Sequence, residues 1–491
     1  MNFLLFLPIL LPILAGASLP LIVKGEGSHK KRKSYVCTIL SLNTLLVLLI
    51  VNLDHLAVRT MHITSNINFY LQVDNLTRFF LVLASAMWLL VSFYALEYIR
   101  AHGKENRFFV YYLLAYGAIV GACLAGNFFT LYLFYELITL FTFPLVIHFG
   151  TKESSKAGAK YLMYSFFGAA LILVGFAFLG HFGVTTDFVA GGTLNPHLVA
   201  TNESTLLVVF LVAFIGFGTK AYIWPLFDWV PASYPETPSP AVSLFSGIVS
   251  KVAILAIIRL TFYGFGIDFI YGTWVQTTLI CLTLLTVFVG SMLAYKEKLL
   301  KRRLAYSSVS QLSYVLFGII LLNPIGFIGA MLHVLFHAII KVTLFLSAGS
   351  VIHQTGKEYV HQLRGIGKAM PITMWCFTIG AVSLVGIPPT GGFISKWYLA
   401  MGGISSNHPL LGVIGAGVLL ISALLTAGYL IPIFAAAFFP GAKFDYTQLE
   451  KTEAKKSMTI PLIILASLCI LLGMFSSVVI GFIDQISRLI F

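Results

Sequence analysis

The chain has 491 residues, of which 58% are hydrophobic and only 10% charged, and its mean hydropathy is +0.93. A soluble domain carries about 25% charged residues, so this composition excludes a soluble globule, and the scarcity of charge also excludes a disordered chain, a coiled coil and a nucleic-acid-binding domain. The excess of 31 basic over 18 acidic residues, +13 in all, therefore calls for a membrane explanation.

Apolar runs of about twenty residues, each long enough to cross roughly 30 Å of hydrocarbon, recur from end to end. Fourteen are expected, over 3–23, 35–53, 79–98, 108–124, 128–149, 161–183, 206–227, 240–263, 277–294, 304–322, 326–352, 372–399, 410–439 and 460–483. The first has no basic segment before it and exceeds a signal-peptide core in length, so it reads as a retained helix. Lys and Arg alternate between the loops. Those after odd-numbered runs hold Lys24 and Lys30 to Lys33; Arg100, Lys104 and Arg107; Lys152 and Lys156; Lys296 to Arg303; Lys357, Arg364 and Lys368; and Lys443, Lys451, Lys455 and Lys456. The other loops are nearly bare of them. Positive charge near helix ends marks the cytoplasmic side of a cell (inner) membrane, so this parity places both termini outside. It also accounts for the +13 without nucleic acid, whose basic partners would cluster on one soluble face. The loop 228–239 departs from the pattern, with Asp228 and Glu236 but no Lys or Arg; both acids read as solvated or paired in that turn.

Runs seven and twelve are interrupted. The seventh meets Trp224-Pro225 and then a proline-rich stretch from Val230 to Pro240, and the twelfth contains Gly386-Ile-Pro-Pro-Thr-Gly-Gly392. Proline removes a backbone donor and glycine relaxes the chain, so both helices should break, which is tolerated at membrane depth only inside protein or beside water. Breaks five runs apart suggest two inverted five-helix repeats. The expected organisation is an all-α polytopic membrane protein: helices one to three over 1–107, a first repeat over 108–263, a second over 277–439, and a cytoplasmic loop with the last helix over 440–491. Five cysteines, Cys37, Cys123, Cys281, Cys376 and Cys469, lie scattered in or beside apolar runs with no CxxC pair, and read as small core residues rather than ligands or disulfides.

The informative residues are ionisable ones inside apolar runs: Glu136, Lys220, Lys251, His333, His337 and Lys341, with Lys396 just past the second break. A charge at a helix centre costs about 2.5–3.5 kcal/mol on insertion scales, so each needs compensation or a use. Several readings compete. Glu136 and Lys220 form either a structural ion pair or a proton-loading pair, and Lys396 either snorkels to the interface or ends a relay. His333, His337 and Lys341 share one helical face at i, i+4 spacing; they are core hydrogen-bonders, a proton relay or, without the glutamate of HExxH, a poor metal site. His353, at a helix end, is weaker. Burial disfavours the charged form of an acid or base and pairing restores it, so making or breaking a Glu136–Lys220 pair changes the proton affinity of Lys220. A series of Lys and His at similar depth, joined by hydroxyls and water, passes protons laterally. Ser307, Ser308, Ser310, Gln311, Ser313 and Tyr314 are candidate connectors, with ordinary helix–helix hydrogen bonds as the plain alternative. Gly216-Phe-Gly-Thr-Lys220 has the wrong spacing for a phosphate loop, and no dinucleotide fingerprint is present, so no cofactor and no bound metal are expected.

In this order, Asp74-Asn-Leu-Thr-Arg-Phe79, Ala125 to Glu136, Lys220-Ala-Tyr-Ile-Trp-Pro to Pro231, Ala305 to Gln311, His333 to Lys341 and Gly386 to Phe393 resemble the antiporter-like membrane subunits of complex I, Mrp-type sodium/proton antiporters and membrane-bound hydrogenases. The resemblance implies a proton-translocating subunit of a multisubunit membrane complex. Glu136 matches the family's fifth-helix glutamate, Lys220 its broken-helix lysine, and Lys251 its connecting lysine. His333, His337 and Lys341 match the eleventh-helix group, and Lys396 the terminal residue. It also implies other membrane subunits as partners in the lipid bilayer, protons as the ion moved, with Na+ as the candidate exchanged ion, and redox chemistry only in those partners. The missing lateral helix argues against the complex I L-type and Mrp A-type, and Lys396 in place of glutamate against the M-type. Phe143-Pro-Leu-Val-Ile-His148 after Glu136 looks most like the Mrp D-type, with the complex I N-type and hydrogenase equivalents as alternatives, and a solute transporter or a structural membrane anchor as the remaining readings of the buried charges.

Overall fold

A computed structural model describes residues 2–25, 28–53, 56–64, 67–442, 444–445 and 451–491. Lys443, one of the basic loop residues named above, lies outside them. A helix or a helix pair occupies each of the fourteen apolar runs. In chain order the helices are α1 (Leu7–Ile22), α2 (His29–Val51), α3 (Asn75–His102), α4 (Glu105–Leu124), α5 (Phe128–Val146), α6 (Lys152–Phe182) and α7 (Glu203–Gly218). They continue with α8 (Ser239–Phe265), α9 (Trp274–Lys296), α10 (Leu300–Ile320), α11 (Pro324–Thr355), the pair α12 (Pro371–Val385) and α13 (Gly391–Ile404), α14 (Pro409–Phe438), and the pair α15 (Lys456–Met474) and α16 (Ser476–Ile490). Among the described residues, 11 helices are long and apolar enough to cross a membrane. The runs outside that set are the broken seventh and twelfth and the tenth, whose helix α10 carries Lys301, Arg302, Arg303, Ser307, Ser308, Ser310 and Ser313.

Local chemistry fixes many of the helix starts. Asp74 accepts from the Thr77 amide at 2.8 Å, Asn127 from Thr130 at 2.8 Å and Asn323 from Gly326 at 2.7 Å, each satisfying one of the amides that a first turn leaves unpaired. Burial then sorts the helices. α8 is buried along its apolar length and α11 nearly so, whereas α1, α2 and α14 turn most of their surface outward. The central pair α8 and α11 is where Lys251, His333, His337 and Lys341 lie, so their charge is shielded from lipid on all sides.

An antiparallel hairpin, β1 (Ala57–Thr64) and β2 (Ile67–Gln72), interrupts the helical series between α2 and α3. No strand was expected there. Residues 54–78 lie between two apolar runs, and the stretch Ile67-Asn-Phe-Tyr-Leu-Gln72 alternates in a way suited to a half-buried strand. The hairpin closes over the start of α5 at the end of the bundle opposite the basic loops. The Gly126 amide donates to the Tyr70 carbonyl at 2.8 Å, and Asn127 Nδ2 to the Asn68 carbonyl at 2.9 Å.

Both interrupted runs do break. After α7 the chain turns irregularly through 219–228, and between α12 and α13 it crosses Gly386 in a left-handed conformation, φ +92°. The second break is tightly built: a Cβ on Gly392 would lie 1.8 Å from the Ser383 carbonyl oxygen. Gly392→Ala must therefore push α13 off α12, at a cost of about 1–3 kcal/mol. The expected result is a lowered thermal unfolding midpoint in detergent; an unchanged midpoint would contradict the close approach. The last run, expected as one helix over 460–483, bends instead at Phe475 into α15 and α16. α16 is amphipathic and ends with Phe491 packed on Phe262 and Phe327, ring centroids 5.6 and 6.0 Å away.

Candidate functional site

Lys220 lies just beyond the end of α7, in the irregular stretch. Its Nζ donates to the Tyr135 carbonyl at 3.2 Å and to Thr139 Oγ1 at 2.5 Å, and sits 3.8 Å from the centre of the Tyr135 ring. Tyr135 and Thr139 are one turn apart on α5, so a single face of that helix supplies the whole cradle. Glu136 is the next residue along, about 100° around the helix, and does not pair directly with Lys220. The two are close enough to interact electrostatically, yet the half-buried Glu136 leaves Oε1 with no hydrogen-bond partner, as does the Tyr135 hydroxyl. The expected contact pair is thus replaced by a lysine on a carbonyl, a hydroxyl and an aromatic face, with the carboxylate beside it.

Around α8 and α11 the groups do touch. Lys251 Nζ donates to the Ser246 carbonyl at 2.5 Å and lies 2.7 Å from His337 Nδ1. An ammonium has only donors, so His337 accepts at Nδ1 and carries its proton on Nε2 whenever Lys251 is charged. One turn on, the His337 and His333 rings stack at 5.7 Å, His333 stacks on Tyr314 at 5.5 Å, and His333 Nδ1 meets Ser395 Oγ at 2.9 Å. Ser395 precedes Lys396, whose Nζ donates to the Leu384 and Val385 carbonyls at 2.7 and 2.9 Å and lies 5.3 Å from the Tyr314 ring centre. Lys396 therefore does not snorkel. It caps the carbonyls that the break frees at the end of α12, where the helix dipole favours a cation. Lys341, fully buried, donates to the Leu304 carbonyl at 3.0 Å and to Ser307.

The candidate connectors divide. Ser307 holds Lys341, and Ser308 bonds Ser246 at 2.8 Å beside Lys251. Ser310 belongs to a structural knot with Ser291 and Ser422, at 2.8 and 3.2 Å. Both polar atoms of the Gln311 side chain, Ser313 Oγ, and Nε2 of His333 and of His337 are buried with no hydrogen-bond partner in the chain. Buried polar atoms are rarely left unpaired, so this set is the unsatisfied part of the network. Among the described residues, no hydrogen bond within the chain joins the Lys220 cradle to Lys251.

Sequence reasoning did not single out the Asp74–Arg259 pair. Arg259, 1% exposed, donates from both terminal nitrogens to Asp74 at 2.6 and 2.9 Å and stacks on Phe188 and Tyr263. Asp74 stood out in the sequence only as the first residue of the segment Asp74-Asn-Leu-Thr-Arg-Phe79, and Arg259, inside the eighth apolar run, did not stand out at all. Other expectations need small corrections. Cys281 is exposed on α9 and Cys37 partly so, so neither is a core residue, whereas Asp228, expected to be solvated or paired, does pair, with Lys160. Among the described residues no three His, Cys, Asp or Glu side chains gather as a metal would require.

Residues 125–423 match the family model described as NADH:quinone oxidoreductase/Mrp antiporter, TM. The chain is similar to the N-type subunit of the NADH-quinone oxidoreductase of Desulforudis audaxviator, 32% identical over 430 residues that cover 84% of each protein. It is also similar to the D-type subunit of the Na(+)/H(+) antiporter of Alkalihalophilus pseudofirmus, 28% identical over 480 residues, 96% of this chain and 94% of the other. In fold it matches a chain of the Mrp complex from Dietzia sp. with a TM-score of 0.85 at 20% identity, covering 99% of this chain and 97% of that one.

Proposed function

This chain belongs to the NADH:quinone oxidoreductase/Mrp antiporter transmembrane family, and from that premise we propose that it is a proton-translocating subunit of a multisubunit complex in the cell (inner) membrane. It is a multi-pass membrane protein. In the proposed arrangement it has fourteen spans, both termini outside and two inverted five-helix repeats. Protons pass laterally along Glu136, Lys220, Lys251, His337, His333 and Lys396, with Lys341 alongside. The observation that carries this reading is the buried contact run Lys251–His337–His333–Ser395, which ends one residue from Lys396. Adjacent ionisable side chains at membrane depth are costly, and a purely structural role would be met by apolar packing.

The preferred assignment is the D-type subunit of a monovalent cation (Na+)/proton antiporter, because the alignment to such a subunit spans 96% of the chain. The second reading, a pumping subunit of an NADH–quinone oxidoreductase or membrane-bound hydrogenase, is favoured by the higher identity, 32%, to an N-type subunit. Mass spectrometry of what copurifies from native membranes in mild detergent separates them. Small membrane partners alone support the antiporter, and iron–sulfur, flavin or nickel subunits support the redox machine.

A further inference from the structure

A second cluster of titratable groups lies at the basic end of the bundle, apart from the relay. His102, in the last turn of α3, and His353, near the end of α11, both pack on Tyr98, with ring centroids 4.5 and 5.3 Å away, and lie 5.3 Å from each other. A cavity of about 230 Å³ adjoins them, lined by Phe149, Thr151, Glu236, Lys301, Ile352 and Glu358. Phe149 packs on His102 at 5.6 Å, and Ile352 directly precedes His353. The other charged or titratable groups facing the cluster are Glu97 with its partner Lys455 at 2.5 Å, His148 with Lys104 and Arg107 near it, and Glu153 and Arg302 beside Glu236. Burial and the neighbouring Glu153 hold the Glu236 carboxyl above its ordinary range, so this loop acid keeps its proton more readily than a free one.

From Tyr98 a line of hydroxyls runs inward. Ser239 Oγ donates to the Tyr98 hydroxyl at 3.4 Å, Ser350 Oγ to the Tyr94 hydroxyl at 3.1 Å, and Tyr94 in turn to the Leu346 carbonyl at 3.0 Å. The two halves of the line meet over Gly349: a Cβ there would lie 2.6 Å from Ser239 Oγ and 3.0 Å from the Tyr94 hydroxyl. Ser347 Oγ, one turn from Ser350 on α11, is buried without a partner. Lys341 is six residues further on, a rise of about 9 Å. Helix–helix hydrogen bonding accounts for the serines and tyrosines alone. It does not account for two histidines and two carboxylates gathered at the mouth of the same line.

We infer that this cluster is a proton inlet: Glu236 and Glu358 collect protons at the cavity, His102 and His353 take them up, and Tyr98, Ser239, Tyr94, Ser350 and Ser347 pass them with water to Lys341. At each hydroxyl one proton arrives as another leaves, so none is left charged. The inlet rests on the reading that Lys341 belongs to the proton path.

The test compares proton flux in inverted vesicles carrying the whole native complex, with His102→Gln/His353→Gln, Tyr98→Phe, Gly349→Ala and, as the control for the path itself, Lys341→Ala. The inlet variants should lose about tenfold in rate in alkaline medium, where collection limits supply, and recover in acidic medium or on adding imidazole as a mobile proton carrier. Lys341→Ala should be inactive throughout. Inlet variants at the wild-type rate at every pH, or slow ones that neither acid nor imidazole relieves, overturn the inlet while Lys341→Ala stays inactive. A wild-type rate in Lys341→Ala overturns the reading beneath it.

Discussion

Lys220→Ala abolishes proton movement by the assembled complex, with a loss of about 100-fold or more, the scale expected when a positioned acid–base group is removed. Lys220→Arg is equally inactive. The pair of variants separates chemistry from packing. The Nζ of Lys220 rests on the Tyr135 carbonyl, Thr139 and the Tyr135 ring rather than on a carboxylate, so the site tolerates the lysine in either protonation state. A carbonyl and an aromatic face favour the cation, while Thr139 bonds a neutral amine equally well. An arginine at 220 keeps the charge and most of the reach, yet cannot release its proton. If the role were structural, Lys220→Arg would retain most of the flux. The measurement is proton flux per assembled complex, with assembly checked by native gel; flux at the wild-type level in either variant removes Lys220 from the path.

Breaking the Asp74–Arg259 pair has the largest expected effect on stability. Asp74→Ala strands the buried Arg259 and should cost about 3–5 kcal/mol, seen as poor yield and a lowered unfolding midpoint in detergent, whereas Arg259→Ala leaves behind Asp74, 32% exposed, and should cost less. The double variant Asp74→Ala/Arg259→Met leaves no charge unpaired and should recover more than half of that loss. This behaviour marks the pair as the clasp that ties the start of α3 to the end of α8, and complexes that do assemble should conduct normally. A selective loss of flux in well-assembled single variants would instead place the pair on the proton path.

Much of this was legible in the sequence because the membrane makes charge conspicuous. Lys251, His333, His337 and Lys341 stood out against apolar runs, and α8 and α11 do bring Lys251 against His337. The prolines and glycines of the seventh and twelfth runs likewise announced both breaks. What the sequence could not supply was direction around a helix. Glu136 and Lys220 were natural partners by charge, but Lys220 docks on the α5 face carrying Tyr135 and Thr139, one position away. Asp74 and Arg259 are 185 residues apart, and nothing local to either predicts their meeting. Tyr94, Tyr98 and His102 carry no sequence signal of their own, and only the packing of α11 sets His353 and Ser350 against them. The hairpin was hidden between two strong helical signals, and the bend at Phe475 breaks an apolar run that hydropathy alone sees as continuous.

The most direct test of the relay is proton flux in proteoliposomes containing the purified complex with His337→Leu. His337 touches both Lys251 and His333, and leucine fills similar space without a nitrogen to carry a proton. The relay predicts a normally assembled complex with flux near zero and an unfolding free energy unchanged within about 1 kcal/mol. Wild-type flux through the His337→Leu complex would contradict it.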